Sequence, residues 1–386
     1  LLASSAASDV YKRQDVWLCS GQSNMQWVVN NVTNAEVEKK NANYSQIRTL
    51  NIPRRMELSP KDTISTTWLV CSPETVGRFS GVAYFFARKV YEETNIPIGI
   101  INSSWGGTIV ETWTSLEAAN TLPQKRLDRY NKNEKLSPPT EYFTRTNKEA
   151  KRNDYPSLVY NAMIHPLLSF AIKGVVWYQG ENNVGNAEPY TDWLTCMISD
   201  WRNRWNSELP FYIIQLPNFD STNKTPLWAE IRDAQRKVLT VPKTHLIVTS
   251  DLGDPHDLHP RNKQEVGMRV ALQVLHHEYG RPDIVSESPM FERMEINGDK
   301  IIITFKNTGS GLEIRSRYGC LQGFTIAGED KKFYWAQGEL KDNRIVIWNP
   351  KVPNPIAVRY NWENNPDGNL YNKDGLPACL FRTDNW

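Results

Sequence analysis

The chain has 386 residues, enough for two domains, and a formal net charge of +2, which argues against nucleic acid or an anionic membrane as its main partner. Hydrophobic residues make up 40% and charged residues 23%, an ordinary balance for a globular protein, and no apolar run approaches the roughly 20 residues that a membrane span needs. The five cysteines are widely spaced with no CxxC pair and no Cys/His ligand pattern, so structural zinc is not expected.

Residues 1–14 fit poorly with the rest of the chain. Small residues at 3–8 resemble the end of a signal peptide, but a starting Met and a charged leader are missing. The stretch Ser5-Ala6-Ala7-Ser8-Asp9-Val10-Tyr11-Lys12-Arg13-Gln14 reads better as adapter-derived sequence on a truncated gene, and it is set aside from the fold.

From 15 to 284, apolar β-rich runs at 16–19, 98–101, 174–178, 211–216 and 245–249 alternate with amphipathic stretches at 81–92, 157–169, 190–206, 226–239 and 263–275. Short, continuously apolar strands alternating with helices predict a parallel sheet covered on both faces, an α/β domain. Ligands then sit beyond the carboxyl ends of the strands. The polar segment 121–154 reads as a surface excursion able to overhang that edge. Over 285–386 the texture changes to short β-like runs divided by Gly, Asn, Asp and Pro, with Asn297-Gly298-Asp299 as a hairpin turn. This predicts a β-rich, sandwich-like C-terminal domain.

The first strand runs into Ser20-Gly21-Gln22-Ser23-Asn24-Met25. A strand turning sharply into a helical segment lifts one side chain out of the sheet edge and aims backbone N–H groups at whatever it attacks, so Ser23 is a candidate nucleophile. A hydroxyl needs a base. Of six histidines, His165 precedes a proline at a helix end, His245 begins a strand, and His276 and His277 close a helix where an imidazolium suits the dipole. The loop after 245–249 remains: Asp251-Leu252-Gly253-Asp254-Pro255-His256-Asp257-Leu258-His259-Pro260 offers two histidines and three carboxylates at the edge where Ser23 should lie. A solvated acidic loop is the plainer reading of those residues. Two further loops follow strands. Trp105-Gly106-Gly107-Thr108 has glycines that allow close approach of an N–H, and Gln179-Gly180-Glu181-Asn182-Asn183 has amide donors. Nucleophile, glycine, amide and histidine thus follow four strands in order.

These blocks resemble the SGNH/GDSL-type hydrolases, and within them the sialate O-acetylesterase family. The likeness covers nearly all of 15–386, including the endings Gly375-Leu376-Pro377-Ala378 and Phe381-Arg382-Thr383-Asp384-Asn385-Trp386. It implies a three-layer, flavodoxin-like α/β/α esterase domain, with Ser23 as nucleophile and His259 as base. It also implies an oxyanion hole from the Ser23 N–H, the Gly107 N–H and the Gln179 amide. Three residues before the histidine, where the wider group carries its acid, stands His256; Asp257 is the expected acid and Asp254 its rival. Gln179 stands where the wider group shows Gly-x-Asn; Asn182 and Asn183 are rivals for that donor, as Gly106 is for Gly107. The expected activity is a cofactor-independent serine carbohydrate O-acetylesterase acting on small-molecule or glycan O-acetyl esters of sialic acid, without membrane insertion. The resemblance further implies a secreted or periplasmic protein with additional β structure ahead of the first block. Acetylated plant polysaccharides such as acetyl-xylan are the alternative substrate, and a non-catalytic carbohydrate-binding protein is the alternative class. Arg261 and Lys263 are candidates for meeting a sialate carboxylate, with ordinary surface charge as the plainer reading.

Overall fold

The computed structural model describes residues 14–138, 154–220 and 225–386. Its larger sheet contains β1 (Asp15–Gly21), β2 (Ile47–Asn51), β3 (Trp68–Val70), β4 (Ile98–Ser104), β5 (Gly174–Tyr178), β6 (Phe211–Ile214) and β7 (Thr244–Ile247), in the order β3-β2-β4-β1-β5-β6-β7. All pairs are parallel except the antiparallel β2–β3 edge. β1 therefore sits between β4 and β5, and the three strands end side by side, with Gly21 level with both Ser104 and Tyr178.

Four helices cover the sheet: α1 (Gly81–Thr94), α2 (Ala187–Trp205), α3 (Leu227–Lys237) and α4 (Lys263–Glu278). Side chains alternate along a strand, so Trp17 and Ser20 point to opposite faces, and Trp177 shares the Ser20 face through its register. Trp17 meets Phe86 of α1 edge-on at 5.3 Å between ring centres, while Trp177 meets Trp201 of α2 at 5.9 Å. The two tryptophans thus anchor opposite helical layers, which gives the expected three-layer α/β/α arrangement. Gly267 lets α4 close on α1, since a Cβ there would lie 2.7 Å from that of Phe85.

Residues 290–382 form two four-stranded antiparallel sheets and a two-stranded one around a second apolar core that includes Ile301, Ile303, Phe324, Ile326 and Tyr360. The expected hairpin is present: β8 (Met290–Asn297) and β9 (Lys300–Lys306) pair antiparallel across Gly298, whose φ is +61°. The last segment returns to the first core through Cys379 and Leu380. Of the expected overhang at 121–154, the described part holds the short helical turn Gln124–Leu127; residues 139–153 and the 1–13 leader lie outside the described residues.

Two strands and one helix differ from expectation. β2 and β3 are short, carry Arg48 or stand at the sheet edge, and lack a periodic signal. The expected helix at 157–169 becomes a π turn at Tyr160–Ile164 followed by a 3-10 turn from His165, because Pro166 lacks the N–H that a continuing α-helix would need.

Candidate active site

β1 ends at Gly21, whose φ of +137° suits glycine, and a Cβ there would fall 2.1 Å from the Tyr178 carbonyl oxygen. The chain turns at this point into the helical turn Ser23–Gln26. The Gln22 N–H donates to Tyr178 O at 3.0 Å, and Ser80 Oγ donates to Met25 O at 2.6 Å, clamping the turn between β5 and the start of α1. Ser23 is partly exposed between two buried neighbours, Gln22 and Asn24. As the first residue of a helical turn it has no intrahelical acceptor for its N–H, and among the described residues that N–H donates to nothing.

The loop after β4 comes next to it. A Cβ on Gly106 would lie 3.2 Å from Ser23 Cβ, a tight contact, so a side chain there would press on Ser23. The Gly106 N–H is already given to Gln26 Oε1 at 2.8 Å. Gly107, at φ +77°, has no acceptor for its N–H among the described residues. Of the two glycines, 107 is the one with a donor to offer.

Gln179 does not behave as expected. Its Nε2 donates to Thr108 O at 3.0 Å and to Asn183 Oδ1 at 2.8 Å, which spends both amide hydrogens, and the side chain has no exposed surface. Tyr190 Oη donates to its Oε1 at 3.1 Å. Gln179 is a brace between loops, with no hydrogen left for a substrate. Asn183 is likewise buried, donating to Glu111 Oε2 at 2.9 Å. Asn182 differs: it is exposed, and its Nδ2 gives one hydrogen to Gly107 O at 2.5 Å and keeps the other. The buried Gln22 Oε1 accepts from the N–H groups of Gly180 and Asn182 at 3.3 and 3.4 Å, which ties this loop to the turn that carries Ser23. Gly180-Glu181-Asn182 is itself a Gly-x-Asn, the sequence signal that points to Asn182.

The loop after β7 brings His259 to the same edge. Asn24 Nδ2 donates to Leu258 O at 3.0 Å, and the His259 ring stacks on Trp27 with centroids 4.9 Å apart and planes within 9°. No hydrogen bond joins Ser23 to His259 among the described residues, and His259 Nε2 is buried without a partner. Catalytic contacts of this type often tighten only on substrate binding. Burial first, then the nearby Lys263 ammonium, hold the His259 imidazole below its ordinary value, while Asp257 opposes them. A depressed value keeps the ring in its neutral, proton-accepting form at pH 7.

Asp257 and Asp254 separate clearly. Asp257 Oδ1 accepts from the His259 backbone N–H at 2.8 Å and its charge acts on both His259 and Lys263. Asp254 is exposed and accepts from the His256 N–H, a local turn bond. Asp251 is occupied elsewhere, pairing with Arg269 through both carboxylate oxygens at 2.7 Å.

Lys263 departs from the role expected of it. It has no exposed surface, so it cannot meet a substrate carboxylate; its Nζ donates to Asn24 Oδ1 at 2.6 Å, and burial lowers its pKa to about 7. Asn24 also donates to Glu181 Oε1 at 2.5 Å, and burial raises that carboxyl. One asparagine next to Ser23 thus binds the lysine of α4, the loop after β5 and the histidine loop. Arg261 is exposed on the adjacent surface.

A model of the sialic acid-specific acetylesterase family of carbohydrate esterases matches residues 13–276. The chain belongs to that family. A carbohydrate acetylesterase from Xanthomonas citri of known structure superposes with a TM-score of 0.86 at 36% identity, over 96% of this chain and 81% of that one. Among curated relatives, sialate O-acetylesterase from Pongo abelii is 33% identical over 74% of this chain and 57% of its own length. The Mus musculus sialate O-acetylesterase is 29% identical over 91% of this chain and 73% of its own. The chain thus spans somewhat more than half the length of the first of these. No helix among the described residues is long and apolar enough to cross a membrane.

Proposed function

We propose that this chain is a serine carbohydrate O-acetylesterase whose preferred substrates are O-acetylated sialic acids. The observation that carries the reading is the convergence on one sheet edge of a partly exposed Ser23, two N–H groups without acceptors among the described residues, and a histidine whose buried Nε2 has no partner there. His259 takes the Ser23 proton as Oγ attacks the acetyl carbonyl carbon, and Asp257 orients its loop and offsets the imidazolium charge. The tetrahedral oxyanion accepts from the Ser23 N–H, the Gly107 N–H and the free hydrogen of the Asn182 amide. The C–O bond to the sugar breaks, His259 returns the proton to the leaving alcohol, and acetyl-Ser23 remains. Water, deprotonated by His259, attacks the acetyl group and releases acetate and the free serine. Gln179, Asn24, Glu181 and Lys263 hold these groups in position without touching the substrate.

The sialate preference rests on the family and on the names of the relatives. We assign 15–284 as the esterase unit and 285–386 as a β-rich unit on the separation of the two apolar cores. Acetate release from 9-O-acetyl sialic acid by the wild type, and a loss of at least about 10⁴-fold in Ser23→Ala with unchanged circular dichroism, are the expected results. Turnover of acetyl-xylan and p-nitrophenyl acetate without release from the sialate would keep the mechanism and reassign the sugar. Equal release by wild type and Ser23→Ala would end the reading, and no turnover of any ester by folded protein would leave a carbohydrate-binding protein.

A further inference from the structure

At the opposite end of the sheet from Ser23, three side chains from three distant segments meet. His245 stands near the start of β7, His277 in the last turn of α4, and Glu287 in the segment leading to β8. One ligand atom from each, the histidine ring nitrogens and a carboxylate oxygen, lies within 4.8 Å of the others. His277 Nε2 and Glu287 Oε1 are 3.4 Å apart. Zinc bonds to His and Glu of about 2.1 Å put neighbouring ligand atoms of a tetrahedron about 3.4 Å apart, the same separation. The two imidazoles lie with centroids 4.0 Å apart, and His245 is backed by the Tyr212 ring at 4.9 Å.

The plainer account is a salt bridge between an imidazolium and Glu287, with the dipole of α4 supporting the charge. It leaves His245 unexplained. A half-buried imidazole facing a second imidazole and a carboxylate is an arrangement whose ring nitrogens and oxygen can converge on one metal ion. His276 does not compete, because its Nδ1 is engaged with Ile284 O at 2.9 Å. The guanidinium of nearby Arg202 is turned to carbonyl oxygens, Leu209 O at 2.8 Å and Lys243 O at 3.0 Å.

We infer that His245, His277 and Glu287 form a binding site for one divalent transition metal ion of the zinc class, with water as the fourth ligand. Two imidazoles and a carboxylate suit Zn²⁺ or Co²⁺ and exclude a hard-cation site, which would draw on oxygens alone. The site is structural, because His277 lies about 21 Å along α4 from Lys263 at 1.5 Å per residue. It would clip the end of α4 to β7 and to the strand-entry segment at 287–289. That segment is also gripped from the C-terminal region, where Cys379 N–H donates to Pro289 O at 2.9 Å.

The test uses the full chain carrying Cys320→Ser, which removes an exposed thiol able to bind metal by itself. After chelator treatment, Zn²⁺ titrated in a calorimeter should bind one to one, and Co²⁺ should give the visible absorption of a tetrahedral site. His277→Ala and Glu287→Gln, both folded by circular dichroism, should each weaken Zn²⁺ binding by more than about 100-fold and abolish the metal-dependent rise in Tm. Absence of saturable binding would overturn the assignment. So would equal binding by wild type and both variants, since the metal would then sit elsewhere.

Discussion

Along β9 the side chains alternate cleanly, with Ile301, Ile303 and Phe305 buried and Ile302 and Thr304 half-exposed, so the inward face is apolar and Thr304 Oγ1 is the one side-chain polar atom of the strand that is buried without a partner. The end of β1 is different. Ser20, Gln22 and Asn24 are all buried, because a strand in the middle of a parallel sheet is covered on both faces, and their polar atoms must be met by other protein groups. The C-terminal sheets are therefore held mainly by apolar packing, whereas the edge at Ser23 is held by Gln22, Asn24, Gln179, Asn183 and Lys263 bonding to one another's loops. The buried polar residues of the first region are its scaffold, and only the few atoms left unbonded are available for chemistry.

The sharpest way to break that distinction is to compare Asn182 with Gln179. Asn182→Ala should lower kcat about 10²–10³-fold and leave Tm nearly unchanged, as removal of one oxyanion donor does. Gln179→Ala should instead cost about 3 kcal/mol of stability in denaturant titration, because Thr108 O, Asn183 Oδ1 and Tyr190 Oη each lose a buried partner. The reverse pattern, a large kcat loss at Gln179 with stability kept, would return the donor role to that residue.

In the sandwich, Ile303→Ala should destabilise by about 2–5 kcal/mol through a cavity. The kcat/KM of the molecules still folded should not change. A substantial loss in kcat/KM at permissive temperature would mean that the second core communicates with the site.

The smallest effect is on pH. Since burial and Lys263 depress His259, the acid limb of kcat/KM should lie below the ordinary histidine value of 6.5. Lys263→Met removes the positive neighbour and should move that limb upward. The folded state also holds the Lys263 proton less firmly than the unfolded chain, so between pH 7 and about 10 the unfolded state carries more proton and wild-type stability rises relative to the variant. A limb unmoved by Lys263→Met would show that the lysine charge is not felt at His259.

The alternation of apolar strands and helices, the hairpin at Gly298 and the turn at Ser23 are legible in the sequence because each is a local pattern, set by two-residue alternation, helical periodicity or a glycine. The direction of a side chain after a strand ends is not local. Gly180, at φ +154°, redirects the chain so that Gln179 turns inward and Asn182 outward, and residue type alone does not carry that rotation. Lys263 is illegible for a similar reason. It opens an amphipathic helix, where a lysine ordinarily faces water, and only the packing of Gly81 and the Tyr178 ring against it seals it in. The His245, His277 and Glu287 cluster has no ligand spacing to detect, since its members lie on three segments brought together by the fold.

The stack of His259 on Trp27 has an electrical and an optical side. In the proposed mechanism His259 gains the Ser23 proton, and the new positive charge then forms over the electron-rich face of an indole, a cation–π contact that supports the imidazolium just while it exists. The same contact should quench Trp27 emission whenever His259 is charged. The difference in fluorescence between wild type and Trp27→Phe would then follow the protonation of the base in real time, without any label.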